Sequence, residues 1–244
     1  MNPAWVLFKR EFRSYFATPI AFVFIVIFLL LSGALTFYLG DFLERGQADL
    51  EPFFRFHPWL YLFLVPAVAM RLWADERKSG TIELLLTLPI SIWQAVLAKF
   101  AAAWCFIGIA LSLTFPIWVT VNILGKPDNG VIFAAYLGSL LMAGAFLAIG
   151  TCLSALTRSQ AVAFILSVVV CFVLLLAGSP MVLDVFRAIA PQILVDAIAD
   201  ISFLTHFNTI SKGVIDVRDL IYFLLSISFW LYANTLVIDL KKAD

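Results

Sequence analysis

Residues 20–38 read IAFVFIVIFLLLSGALTFY, without one charged side chain and mostly Phe, Ile and Leu. The hydrocarbon core of a bilayer is about 30 Å thick and takes roughly 20 helical residues to cross. A run of this kind fits a membrane span and little else. The rest of the chain agrees: of 244 residues, 63% are hydrophobic and 13% charged, where a soluble domain carries about 25% charged residues. That excess cannot be hidden in one water-soluble core. Sixteen basic and sixteen acidic side chains cancel, so the basic footprint of a nucleic-acid-binding protein is missing.

Six spans are expected, over 20–38, 56–72, 96–123, 131–156, 161–183 and 220–240, making one transmembrane domain over 1–244. Pro58 and Pro66 make the second less regular, and Lys99 sits near one end of the third. The basic residues set the orientation. With the N-terminus inside, ten fall on the cytoplasmic side (Lys9, Arg10, Arg13, Arg71, Arg77, Lys78, Lys99, Arg158, Lys241 and Lys242) and six outside (Arg45, Arg55, Lys126, Arg187, Lys212 and Arg218). Both termini are therefore expected in the cytoplasm. Residues 1–18 read as an interfacial amphipathic helix, with Trp5, Phe8, Phe12, Tyr15 and Phe16 opposite Lys9, Arg10, Arg13 and Ser14. Thr18-Pro19 ends it. The long outer loop, 184–219, carries apolar positions such as Val185, Phe186, Ile189, Ile193 and Leu194. Together with the residues just before it, they suggest short amphipathic helices broken at Pro180 and Pro191, which either pack over the outer mouth of the bundle or dock a partner.

The usual marks of catalysis are missing from the sequence. It has no phosphate-binding G-x-x-x-x-G-K-[ST], no H-E-x-x-H and no G-x-S-x-G. Cys105, Cys152 and Cys171 lie in apolar runs and match no metal or disulfide framework. The two histidines, His57 and His206, fall in two outer loops and read as ordinary interfacial residues rather than a shared zinc site. The spans carry almost no ionisable group at mid-membrane, which argues against ion-coupled transport. Their polar residues, Ser32, Thr36, Ser112, Thr114, Ser139, Thr151, Ser154, Ser167 and Asn234 among them, read as helix-packing contacts. Any energy for work must enter from outside the chain.

The densest charge cluster offers an inlet. Residues 70–89, MRLWADERKSGTIELLLTLP, lie on the cytoplasmic side in this topology. Gly80 can open a short helix with Glu83 three residues on, Ile82, Leu85 and Leu86 on one face, and Pro89 as its stop. A short helix, apolar on one side and led by charges, suits a groove on a soluble partner; the other reading is a charged loop that anchors the span ends in water.

The segment over 48–100 resembles ABC-2 type permeases, most closely the gliding-motility permease GldF. It carries the core D-E-x-x-x-G-T-x-E-x-L-L-x-x-P through Asp75, Glu76, Gly80, Thr81, Glu83 and Pro89. HFNTISKGVIDVRDLIYFLLS, with His206, Phe207, Gly213, Asp216, Asp219, Tyr222 and Phe223, is a second similar stretch, and KREFRSYFATPIAFV a weaker third. The resemblance implies a permease subunit of an ATP-binding-cassette system in a bacterial inner membrane. It implies a second permease, the same or different, and two ATPase subunits that hold ATP and magnesium, with no cofactor in this chain. It makes 73–91 the coupling segment, with Asp75, Glu76, Arg77, Gly80, Thr81 and Glu83 contacting or orienting the ATPase and Arg158 adding a smaller contact. It also implies a GldG-like subunit over the long outer loop, met by His206, Phe207, Gly213 and Asp216. The alternative is a membrane scaffold in a motility or envelope complex that moves no substrate.

Overall fold

Asn129–Leu156 is a helix of 28 residues with neighbours on almost every side. Asp128 starts it: its carboxylate accepts the backbone N–H groups of Gly130 and Val131 at 2.8 and 3.3 Å. These are donors that a helix N-terminus otherwise leaves unpaired. Small residues explain its central place. A Cβ on Gly150 would lie 2.5 Å from the Cβ of Ala69, and one on Gly138 would lie 2.8 Å from Ile210. Without those side chains the neighbouring helices come into direct contact, the packing mode that works in lipid, where burial alone drives nothing.

The structure is a computed structural model that describes residues 3–86, 90–187 and 191–241, with the side chains of residues 20 and 84–86 outside the description. In chain order the helices are α1 Pro3–Ala17, α2 Pro19–Ala34 with a wider π-helical turn Leu35–Leu39, α3 Glu51–Arg55, α4 His57–Ala69, α5 Arg71–Ser79, α6 Thr81–Leu86 and α7 Ile92–Ser112. They continue with α8 Phe115–Leu124, α9 Asn129–Leu156, α10 Gln160–Leu176, α11 Pro180–Arg187, α12 Gln192–Asp200, α13 Phe203–Ser211 and α14 Val217–Leu240. Around α9 stand α4, α5, α7, α10, α13 and α14, while α1 lies along α7. No strand occurs among the described residues. The outward surfaces of α2, α10 and α14 carry exposed Leu, Val, Ile and Phe, as lipid-facing helices do.

Among the described residues, four helical stretches are long and apolar enough to cross a membrane: Ala21–Leu39, Ile92–Leu124, Asn129–Leu156 and Val217–Leu240. Two bent pairs, α10 with α11 at 69° and α12 with α13 at 64°, bring the number to six if each is one span. This set differs from the sequence expectation over 56–72. There α4 has 13 residues, about 20 Å of helix at 1.5 Å per residue. It is separated from α3 at Phe56 and from α5 at Met70, and Pro66 inside it supplies no backbone N–H. The expected span over 161–183 also stops early, because the chain leaves α10 at Leu176 and turns before Pro180. The expectation of short helices after Pro180 and Pro191 matches α11 and α12; Ile189, one of the apolar positions behind it, lies outside the described residues.

The N-terminal helix keeps its expected faces, with Phe8, Phe12, Tyr15 and Phe16 half-buried and Lys9, Arg10, Arg13 and Ser14 exposed. Its buried side runs through Leu7, Glu11 and Tyr15, one turn apart, against α7. Tyr15 stacks on Phe106 with ring centroids 4.9 Å apart. Trp5, Phe8 and Phe12 form a second, stacked row, and Trp5 at its start remains half exposed. Reading the aromatics alone overlooked Glu11, the one acid on a basic helix.

Candidate functional site

The charged stretch after α4 folds into α5, and its base is tied to the end of α9 by one serine. Ser154 Oγ accepts the backbone N–H groups of Trp73 and Ala74 at 3.2 and 3.1 Å. The same hydroxyl donates to the carbonyl of Met70 at 2.9 Å. It thus bridges the break between α4 and α5, where backbone groups would otherwise be buried without partners. In return, α5 helps to finish α9: Arg77 donates to the carbonyl of Ala155, and Lys241 from beyond α14 donates to that of Leu156. Cationic donors at the last carbonyls of a helix also oppose its dipole. Gln160, at the start of α10, bonds Asp75.

Beside this joint lies a buried ion cluster. Lys99 on α7 is 2% exposed, and its Nζ sits 2.8 Å from Glu76 Oε1 and 3.4 Å from Glu11 Oε1. Arg10 holds Glu11 at 2.7 Å and approaches Glu76 at 3.9 Å. The ammonium also faces the ring of Trp73, 5.2 Å from its centroid, a cation–π contact. Burial, with the Glu11 carboxylate beside it, pushes the Tyr15 phenol up, so this wall of the cluster stays neutral. A buried ion set adds little net stability over an apolar one, but it fixes geometry, since separating the partners strands a charge. Here it ties α1, α5 and α7 together.

These ties divide the sequence candidates into two groups. Asp75, Glu76 and Arg77 have partners inside the protein and hold α5 in place. Lys78, Ser79, Gly80, Thr81 and Glu83 are exposed. Gly80 has φ 72°, in the left-handed region that favours glycine, and ends α5 as its cap. It then leads directly into α6, so the expectation that Gly80 opens a helix holds, with the added duty of closing the one before. Ser79 Oγ braces the corner through the carbonyl of Asp75 at 2.8 Å and the hydroxyl of Thr81 at 2.9 Å. Arg158 is exposed in the turn between α9 and α10. The expected apolar face of α6 rests partly on Leu85 and Leu86, whose side chains are outside the description, and Pro89 lies outside the described residues.

The second candidate group takes part in the packing and capping of α13 and α14. Phe207 is fully buried, on α13 where it meets Gly138 of α9. His206 Nδ1 is 2.6 Å from Asp219 Oδ1, its Nε2 is 2.9 Å from the carbonyl of Asp200, and its ring stacks on Tyr222 at 3.9 Å. Gly213 has φ 87° and packs against Val131. Asp216 caps α14, accepting the N–H of Arg218 at 2.9 Å. Of the four residues expected to meet a partner, Phe207 faces inward, His206 and Gly213 are partly buried, and Asp216 is exposed.

His57 is corrected too. It is not in a loop but at the start of α4, fully buried, with Nδ1 2.8 Å from Ser139 Oγ, which also meets Tyr61 Oη at 2.8 Å. No cluster of three or more metal-ligating side chains occurs among the described residues.

Sequence reasoning missed Glu11 and Lys99, and it gave Ser154 only a packing role. A signal existed for the first two: Glu11 is the one acid in a basic helix and Lys99 the one charge in an apolar helix, and two such charges of opposite sign invite pairing. A family model described as ABC-2 family transporter protein matches residues 5–236 of the chain. No curated protein matches it.

Proposed function

Because the chain belongs to the ABC-2 transporter family, and is thus a multi-pass permease subunit that implies an ABC ATPase as partner, we propose that the corner between α5 and α6 is where that ATPase acts. One observation carries this reading: the base of α5 is fastened to α1, α7, α9 and α10, while its tip at Lys78–Gly80 and the side chains of Thr81 and Glu83 are exposed. A rigid lever with an exposed end passes force into the bundle, whereas a floppy loop would absorb it. On this reading Gly80, Thr81 and Glu83 meet the ATPase directly. Asp75, Glu76 and Arg77 orient the lever, and Arg158, close to the same end, adds a contact.

The finer assignment follows the resemblance stated for the sequence. Both termini lie on the ATPase side of a bacterial inner membrane, with six crossings. Two copies of the ATPase bind ATP and magnesium beneath two paired permeases. The chain is GldF-like and works in export, or in passing movement to envelope machinery. A GldG-like subunit on the far side would use the exposed faces of α11 and α12, where Met181 and Ile193 are more than four-fifths exposed, rather than the inward-facing Phe207.

The test is a pull-down of the tagged full chain in mild detergent, co-expressed with its neighbouring genes, against a Gly80→Pro plus Glu83→Lys variant. Proline cannot adopt the φ of Gly80, and the lysine reverses an exposed charge. Loss of the ATPase from a variant that stays folded supports the lever. Equal ATPase capture by both chains sinks it. Substrate-stimulated ATP hydrolysis in the reconstituted complex would further separate transport from a scaffold role.

A further inference from the structure

Two cavities open side by side between α1, the start of α2, α4, α5 and α7, each of about 200 Å³. One is apolar, with Ala21, Phe24, Ile27, Leu64 and Val68 in its wall. The other is polar, with Glu11, Asp75, Glu76 and Lys99 in its wall. They share Tyr15, Thr18 and Arg71, so they meet at an arginine. Moving from one to the other, a ligand passes an apolar groove, then a guanidinium, then carboxylates. That is the order of parts along a phospholipid with an amine headgroup: acyl chain, phosphate, ammonium.

We propose that this crevice binds one phospholipid bearing a primary amine, with its chain against α2 and α4, its phosphate at Arg71 and its ammonium at Glu76. The polar groups at the site have capacity left for such a ligand. Arg71 makes one ion pair, to Asp75 at 3.6 Å, and its side chain is 37% exposed; a guanidinium has five N–H donors. Glu76 Oε2 is buried without a hydrogen-bond partner, although Oε1 of the same carboxylate is held by Lys99. A buried acceptor in that condition favours a ligand with N–H to give. Arg10 pairs with Glu11, so the charges around the polar cavity balance and the choice of headgroup rests on the N–H that Glu76 can accept. A quaternary ammonium has the right charge but no N–H for Glu76. Arg71 and Glu76 both belong to α5, so a lipid seated here would wedge against the helix that carries the exposed tip.

Native mass spectrometry of the full chain in mild detergent, titrated with dioleoyl phosphatidylethanolamine, phosphatidylglycerol or phosphatidylcholine, tests this. One ethanolamine lipid should bind about tenfold more tightly than either other lipid, the scale of one charge-assisted hydrogen bond. Arg71→Gln should weaken it by about the same factor. Ala67→Trp, which fills the apolar groove away from the charges, should remove the bound lipid. Equal binding of the three lipids overturns the proposal, as does unchanged ethanolamine-lipid binding in Ala67→Trp with its unfolding midpoint intact. Should Ala67→Trp fail to fold, Arg71→Gln decides alone, since its side chain is partly exposed: unchanged binding there also overturns the proposal.

Discussion

The end of the molecule at α5 and the end at α13 were both marked by the sequence as contact regions, and both are rich in polar and aromatic residues. They spend those residues differently. At α13, Phe207, His206, Gly213 and Asp216 all close the helix onto α9 and α14 or cap its neighbours. At α5, Asp75, Glu76 and Arg77 are held by Gln160, Lys99 and the carbonyl of Ala155, and the rest of the marked residues stand in solvent. A motif can therefore record packing alone, or packing plus a working surface, and only the residues left over after packing indicate which.

Substitutions that attack the two ends should separate them. The largest effect is expected for Phe207→Ala, which empties a fully buried site: about 3–5 kcal/mol of stability lost, read from the unfolding midpoint in detergent. Little change there would mean that α13 is not locked and could still serve a partner. Lys99→Met should cost about 3 kcal/mol by stranding Glu76 and Glu11; adding Glu11→Gln and Glu76→Gln should recover much of it, which a purely steric defect would not allow. Ser154→Ala should cost about 2 kcal/mol, since two N–H donors and one carbonyl lose their partner. Amide exchange should quicken at Trp73 and Ala74 before it does in α9. The smallest effect on stability belongs to Glu83→Lys, within about 0.5 kcal/mol for an exposed site, yet ATPase capture should fall sharply. If Glu83→Lys destabilises the fold instead, the tip is part of the packing after all and the contrast between the two ends disappears.

Part of this was legible in advance. The run over 20–38 and the helix over 131–156 had to be membrane helices, since no other fold hides so many consecutive apolar residues and satisfies their backbone groups. The break at Thr18-Pro19 and the corner at Gly80 were legible as well, because proline and glycine act locally. The short α4 was partly visible in Pro58 and Pro66, but not the break at Met70, whose backbone is completed by a serine 84 residues further along the chain.

Solvent, helix content and the position of the charged stretch were thus determined by the sequence alone, because hydrophobicity and backbone restriction act over a few neighbouring residues. Which charges are buried and which remain free was decided by the tertiary structure. Glu11, Glu76 and Lys99 lie far apart in the chain and meet only when α1, α5 and α7 pack together. The partner of a buried charge is set by the cost of leaving that charge alone in a low-dielectric interior, and that cost exists only once the interior has formed.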